Sequence, residues 1–553
     1  MTYEKEIPEY AMLPARETEE TLVIPVTKGA IYSPMQLTNI TEKPKTVLTI
    51  EEDILVPDTK PDMKEILMID GSARLTTSEF APLSRAEDHI RLTGEIELQT
   101  LYLPEKEEHC DEILSVQSRI GFKEQWHMSP SPGSTLITEC RIEKIEYMVI
   151  NERKYRVKIT LAIFAREYSD NKPEIFEGLA NEEIQTRKEK IELSGIALRQ
   201  KDSISIQESL MLKEECKIES ILKQDISVTE SYKQLTNEKL VINGFILVNV
   251  LYTLAACDEA TQNDNVRQTT EKIEFTQFIP IRNVGEASGI AVRFDSDELR
   301  VKLVTDDEGC EQLSLEGELH TYIEIYTNTE KEIIVDAYHK EKDFVCEYKE
   351  EHGRTMIGSS VGEASVREII STENAFGDIE KLLYTSAAVR SSESTAEPGK
   401  IITEGILGVK LICTARSEDE ETECARIFSL KEELPFRVAA TMPQAMGAEA
   451  VSSRVSVKDF RAEKINARQI EFNATIAVTA EVMREISFRL PMNPAFEESS
   501  AKPKTTRMAV YVAHSDDSLW SIAKHFKTTV DSIIQINKIE GEVQPGQKLL
   551  ILK

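Results

Sequence analysis

The sequence predicts a mainly β protein: three tandem β-rich units of sandwich or barrel-like type, closed by a small α+β unit of strand, helix, helix, strand order. Three observations lead there. Residues 90–102, 240–252 and 401–413 alternate apolar and polar side chains about a central glycine, Gly94, Gly244 and Gly405, and a period of two marks a half-buried strand. The three glycines recur at intervals of about 150 to 160 residues, which indicates an internal repeat. Residues 511–553 instead carry two short apolar stripes at helical spacing between two strand-like ends.

The units are expected in order as follows. Residues 1–45, with Pro8, Pro14, Pro25 and Pro34, read as an arm packed partly on the first unit. The first unit, 46–165, enters through Ile66-Leu67 after the turn-like run Pro57 to Asp62, passes the Gly94 strand and leaves at Gly121-Phe122. A second alternating set over 141–164 completes it. In the second unit, 204–340, the corresponding marks are Ile221-Leu222, Pro280-Ile281 and the set 289–326. In the third, 368–490, they are Leu382-Leu383, Pro435-Phe436 and 455–482. Each central glycine reads as a bulge or sharp bend. Charged segments near 166–203 and 340–372 join the units, the second with partial helical character. Residues 491–507 read as a linker of small and charged residues, so that the final unit, 508–553, moves independently.

Within that final unit, Tyr511-Val512-Ala513 is a short strand and Asp516-Asp517-Ser518 a polar turn. Leu519, Ile522, Ala523 and Phe526 put one apolar stripe on a first helix, capped by Asp517 or Ser518. Thr529 caps a second helix, with Asp531 in its first turn and Val530, Ile533 and Ile534 on its apolar face; Asn537 ends it. Pro545-Gly546 is a turn pair, and Lys548 to Leu552 is the closing strand.

Composition excludes several classes. At 553 residues, 41% hydrophobic and 29% charged, the chain is ordinary globular material for several domains. Its formal charge of −31 repels nucleic acid and anionic membrane surfaces. That acidity belongs to the long upstream region, because five lysines balance five acids in residues 511–553. No apolar run reaches the ~20 residues of a membrane span, and Met1 to Glu6 lacks the basic and apolar regions of a signal peptide, so a cytoplasmic location without membrane insertion is expected. The eight cysteines are scattered without a C-x-x-C pair, which fits buried thiols in a reducing compartment and no metal site.

No catalytic residue is assigned. The eight histidines include no H-E-x-x-H, and the chain has no phosphate-cradling G-x-x-x-x-G-K-S/T. His109 and Cys110 are sequence neighbours, which on a strand point to opposite faces and make no dyad. No cofactor is implied.

Residues 511–520 (YVAHSDDSLW), Ile522-Ala523, Phe526, Thr528 to Asp531, Asn537 and Pro545 to Leu549 resemble the LysM module in order and spacing over its whole length. The resemblance implies binding of N-acetylglucosamine chains of peptidoglycan or chitin in a shallow groove, here Asp517, Ser518 and Leu519 on one side and Lys538, Ile539 and Glu540 on the other. Asp516 stands where the family usually has glycine, which obstructs close approach of a ligand. The three β units resemble the SPOCS domain of sporulation and spore-coat proteins, most clearly over residues 50–67 and 90–103. Such repeats followed by one LysM module are similar to the SipL-like spore-coat morphogenetic family. That resemblance implies a mother-cell cytoplasmic adaptor at the forespore surface and spore coat, docking a SpoIVA-like coat ATPase through the LysM module. Candidate contacts are then Ser515, Asp516, Asp517, Trp520, Lys538, Ile539 and Glu540, together with Ser518 and Leu519 of the groove. A peptidoglycan-binding anchor stays open as the alternative, and a divergent wall hydrolase as a lesser one.

Overall fold

The computed structural model describes residues 22–25, 29–83, 87–105, 112–128, 130–131, 133–211, 217–255, 265–282, 284–305, 311–372, 377–416, 426–447, 449–498 and 508–552. His109 and Cys110 lie outside them. The chain opens with β1 (Leu22–Pro25) and β2 (Ala30–Pro34), then runs through β3 (Leu37–Leu55), β4 (Met63–Leu83), β5 (Glu87–Pro104), β6 (Leu114–His127), β7 (Thr135–Asn151) and β8 (Lys154–Asn171). After β9 (Glu174–Leu179) come β10 (Ile184–Ser209), β11 (Ile218–Leu235), β12 (Lys239–Leu254), β13 (Val266–Pro280), β14 (Gly289–Asp295), β15 (Arg300–Thr305) and β16 (Glu311–His339). The third series is β17 (Asp343–Ser371), β18 (Asp378–Glu397), β19 (Lys400–Arg416), β20 (Arg426–Thr441), β21 (Ala450–Asn466) and β22 (Gln469–Glu498).

Strand pairing repeats three times. Each series has an antiparallel meander, β4-β5-β6, β11-β12-β13 or β18-β19-β20. Each also has a second sheet: β3-β8-β7, then β10-β16 flanked by β14 and β15, then β17-β22-β21. Apolar side chains from the two sheets of a series interleave, as Ile96, Leu98 and Phe122 do with Tyr155, Val157 and Ile159 in the first. This is sandwich packing. We propose unit limits drawn on this pairing, at 37–171, 184–339 and 343–498.

The structure moves several sequence-drawn boundaries. Residues 184–203 and 343–371, expected as joining segments, are the long outer strands β10 and β17 of the second and third units. Most of their charged residues sit on exposed positions, Glu351 being a buried exception, and β17 is strand throughout with no helix. Residues 491–498 of the expected linker belong to β22 and pair with β17. The arm contributes β1, which pairs with β22, and β2, which pairs with β9.

At the glycines the three units agree closely. A Cβ at Gly94 would lie 2.3 Å from the Phe122 ring and 2.5 Å from the Arg74 carbonyl. At Gly244 the same contacts are Phe275 at 2.7 Å and Thr229 O at 2.6 Å, and at Gly405 they are Phe436 at 2.5 Å and Ser391 O at 2.3 Å. Glycine therefore leaves room for an aromatic ring from the next strand to lie across the sheet. The bulge expected at the glycine sits instead on the preceding strand, between Leu75 and Thr77, Glu230 and Tyr232, and Val389 and Ser391. In the second unit Phe275, not Pro280-Ile281, is the counterpart of Phe122 and Phe436.

The meanders meet one another in a shared apolar cluster: Leu67, Met68 and Leu101 from the first, Leu222, Leu251 and Val266 from the second, and Leu383, Tyr384 and Ile412 from the third. Beside it runs a cyclic set of hydrogen bonds from one register position, five residues beyond each glycine. Gln99 Nε2 donates to Leu222 O at 2.5 Å, Asn249 Nδ2 to Thr385 O at 3.0 Å and Lys410 Nζ to Ile69 O at 3.2 Å. Each unit thus reaches the next, and the third returns to the first.

Gly94→Ala is expected to cost about 1–3 kcal/mol by overpacking. Gly121→Ala, where the added Cβ meets nothing within 4 Å, is expected to be neutral or slightly stabilising. Urea unfolding of the two variants measures the difference.

Candidate functional site

Residues 508–552 fold as the sequence predicts. β23 (Met508–Val512) pairs with β24 (Lys548–Leu552), and α1 (Leu519–Phe526) and α2 (Val530–Asn537) lie between them. Ser518 caps α1: its Oγ accepts from Ser521 N at 3.0 Å, and Ser521 Oγ answers from Ser518 N at 2.9 Å. Thr529 Oγ1 caps α2 by accepting from Ser532 N at 3.1 Å. Asn537 ties α2 to the closing strand, donating to Leu550 O and accepting from Leu550 N. Ala513, Ile522, Ala523, Ile533, Leu549 and Ile551 form the buried core.

Asp517 is a structural residue of the first turn. Its Oδ2 accepts from His514 N at 2.8 Å and from the Tyr511 hydroxyl at 2.7 Å, and these bonds hold its carboxyl below the usual carboxylate range. Leu519 and Ile539, from the two loops expected to flank the groove, pack on the same apolar cluster. Around them Ser515, Asp516, Ser518, Lys538 and Glu540 are exposed. Asp516 accepts a hydrogen bond from Ser515 Oγ at 3.1 Å. Lys538 closes α2 with φ at 50°, a left-handed conformation that glycine more often takes.

Trp520, one of the candidate contacts, packs against the body. Its indole Nε1 donates to Asp336 Oδ2 at 2.7 Å, and its ring meets Tyr338 edge-on with centroids 5.0 Å apart. Lys524 Nζ donates to Asp336 Oδ1 at 2.6 Å, Lys527 Nζ to Asp343 at 2.5 Å, and the buried Tyr338 hydroxyl to Thr528 O at 2.5 Å. The module is therefore docked on the adjoining ends of β16 and β17, between the second and third units, rather than moving independently of the body. Burial pulls the Asp336 carboxyl upward, but the bonds from Lys524, Tyr348 and Trp520 outweigh it and leave it depressed.

Elsewhere the chemistry is quiet. Cys140, Cys346 and Cys413 are free thiols, pushed by burial to about 11, 12 and 12 respectively. Glu298, Glu318 and His320 are the one group of possible metal ligands among the described residues. Both carboxylates are exposed, and His320 Nε2 lies 3.1 Å from Glu298. No described helix is long and apolar enough to cross a membrane.

A three-unit β body presenting a small docked module defines a modular binding protein. Residues 511–552 match the family model of the LysM domain, and residues 217–304 match the model described as SipL, SPOCS domain. The chain thus carries a segment similar to the SPOCS domain of SipL, followed by a LysM module. The SPOCS match covers β11 to β15 of the second unit, whereas sequence reading found that resemblance clearest in the first. No curated protein and no solved structure matches the chain.

A carboxylate with a depressed pKa stabilises its contact fully above its free value near 4 and loses that contribution as pH falls through the folded value. Docking is therefore expected to hold at neutral pH and to fail in acid below about pH 4, and Asp336→Ala is expected to release the module at pH 7. Small-angle scattering and amide exchange over 519–528 read both effects.

Proposed function

We propose that this protein is a non-enzymatic adaptor of spore-coat assembly, acting in the mother-cell cytoplasm at the forespore surface and docking a SpoIVA-like coat ATPase through its LysM module. The observation that carries the reading is the fate of Trp520. Aromatic faces cover sugar rings in glycan grooves, yet the tryptophan of this module is turned onto Tyr338 and Asp336 of the body. Around the two loops expected to flank the groove, the exposed residues Ser515, Asp516, Ser518, Lys538 and Glu540 are polar or charged. Such a surface suits a protein partner, with Asp517 and Leu519 shaping the turn and Ile539 packed between the loops. Docking supports the same role, because a module held at several points binds without first losing the freedom of a tethered domain.

Peptidoglycan remains the second reading, favoured by the LysM match itself. The two separate in one experiment on the full-length protein. The adaptor reading expects the wild-type chain to retain the purified ATPase, with Lys538→Glu and Glu540→Lys together weakening retention about tenfold or more, and no sedimentation with peptidoglycan. Co-sedimentation that N-acetylglucosamine oligomers compete away, with no ATPase held, overturns it.

A further inference from the structure

A cavity of about 1440 Å³ lies where the three units face one another, lined by residues of all three. Its charge is opposite in sign to that of the rest of the chain. Thirteen Lys and Arg face it against ten Asp and Glu, in a protein whose acids outnumber its bases by thirty-one. Most of the lining cations are neutralised in the wall, as Arg74 is by Glu95 at 3.0 Å, Arg300 by Glu97 at 3.2 Å and Arg199 by Glu324 at 3.0 Å. Others are not. Arg141 and Lys201 lie only over the rings of Phe164 and Tyr322. Arg390 makes no hydrogen bond or ion pair among the described residues.

The floor is built around buried ions. Lys223, wholly buried, pairs with Asp70 at 3.3 Å and with Asp225, which also accepts from the Tyr384 hydroxyl. Lys410 pairs with Asp70 from the opposite side. Arg390 lies flat over Gly408, where a Cβ would come within 2.4 Å of its Nε, and this brings its charge close enough to act on both Asp70 and Lys410. Three cations, Lys223, Lys410 and Arg390, thus surround two carboxylates, leaving one positive charge uncompensated at the bottom of the cavity.

We propose that this cavity binds a small multivalent anion, bearing two or more carboxylate or phosphate groups, with Arg390 as its principal ligand and Lys201 and Arg141 on the walls. Guanidinium groups meet both kinds of oxyanion in a two-pronged geometry. A small ligand is favoured over an acidic polypeptide by the same charge balance: the acidic exterior repels a large anionic partner over about a Debye length of 10 Å, whereas a small ion loses little on the way in.

Isothermal titration of the full-length protein at about 150 mM salt, with citrate and with inorganic tripolyphosphate as separate probes, tests this. Saturable one-to-one binding of at least one probe is expected, weakened about tenfold or more in Arg390→Gln, the scale of one charge-assisted hydrogen bond. A smaller loss is expected in Lys201→Gln. Both side chains are free of structural ion pairs, so an unchanged thermal midpoint verifies folding. Response to citrate alone assigns the carboxylate source and response to tripolyphosphate alone the phosphate source. Absence of saturable binding for both probes, or undiminished affinity in Arg390→Gln, overturns the proposal.

Discussion

The body depends on one apolar junction. Leu67, Leu222 and Leu383 occupy equivalent positions on three different sheets, and with Leu101, Leu251 and Ile412 they bury one another. Each meander is only three strands wide, so its outer face needs a partner to leave water. Fully burying a leucine or isoleucine contributes about 1.5–3 kcal/mol, which makes these six residues together comparable to the whole margin by which a domain is stable. Without that junction the cavity has no walls and the β16–β17 connection has no fixed place.

The units are related but not equal. At one register position the chain carries Met68, Lys223 and Tyr384, and at another Gln99, Asn249 and Lys410. Three identical units could associate in any cyclic order or with copies from another chain. A buried lysine that finds its carboxylates only at Asp70 and Asp225 discriminates against those alternatives, since an unpaired charge there costs several kcal/mol. The polar centre buys order at the expense of the extra stability an all-apolar centre would give.

Much of this was legible in the sequence, for local reasons. The LysM caps, stripes and closing strand lie within some forty residues, where periodicity and capping chemistry decide the outcome, and Ser518, Thr529 and Asn537 do what their side chains suggest. Alternation about Gly94, Gly244 and Gly405 located the central strands for the same reason. Failures came where structure depends on distant partners. The long outer strands β10 and β17 read as charged joiners, because their exposed faces mask the alternation. Phe275 was overlooked because only the folded register shows which ring crosses Gly244. Nothing near Trp520 announces Asp336, which lies 184 residues away in sequence.

The pairing of β1 with β22 carries a consequence for how the molecule is made. Residues 22–25 leave the ribosome about 470 residues ahead of the strand that completes their hydrogen bonds, Ala495 to Glu498. Until then β1 has no partner strand, and β22 fastens it to the third unit like a clasp. Synthesis and closure are thereby coupled, and the LysM module, which follows β22, emerges only after the strand that pairs with β17 of its platform.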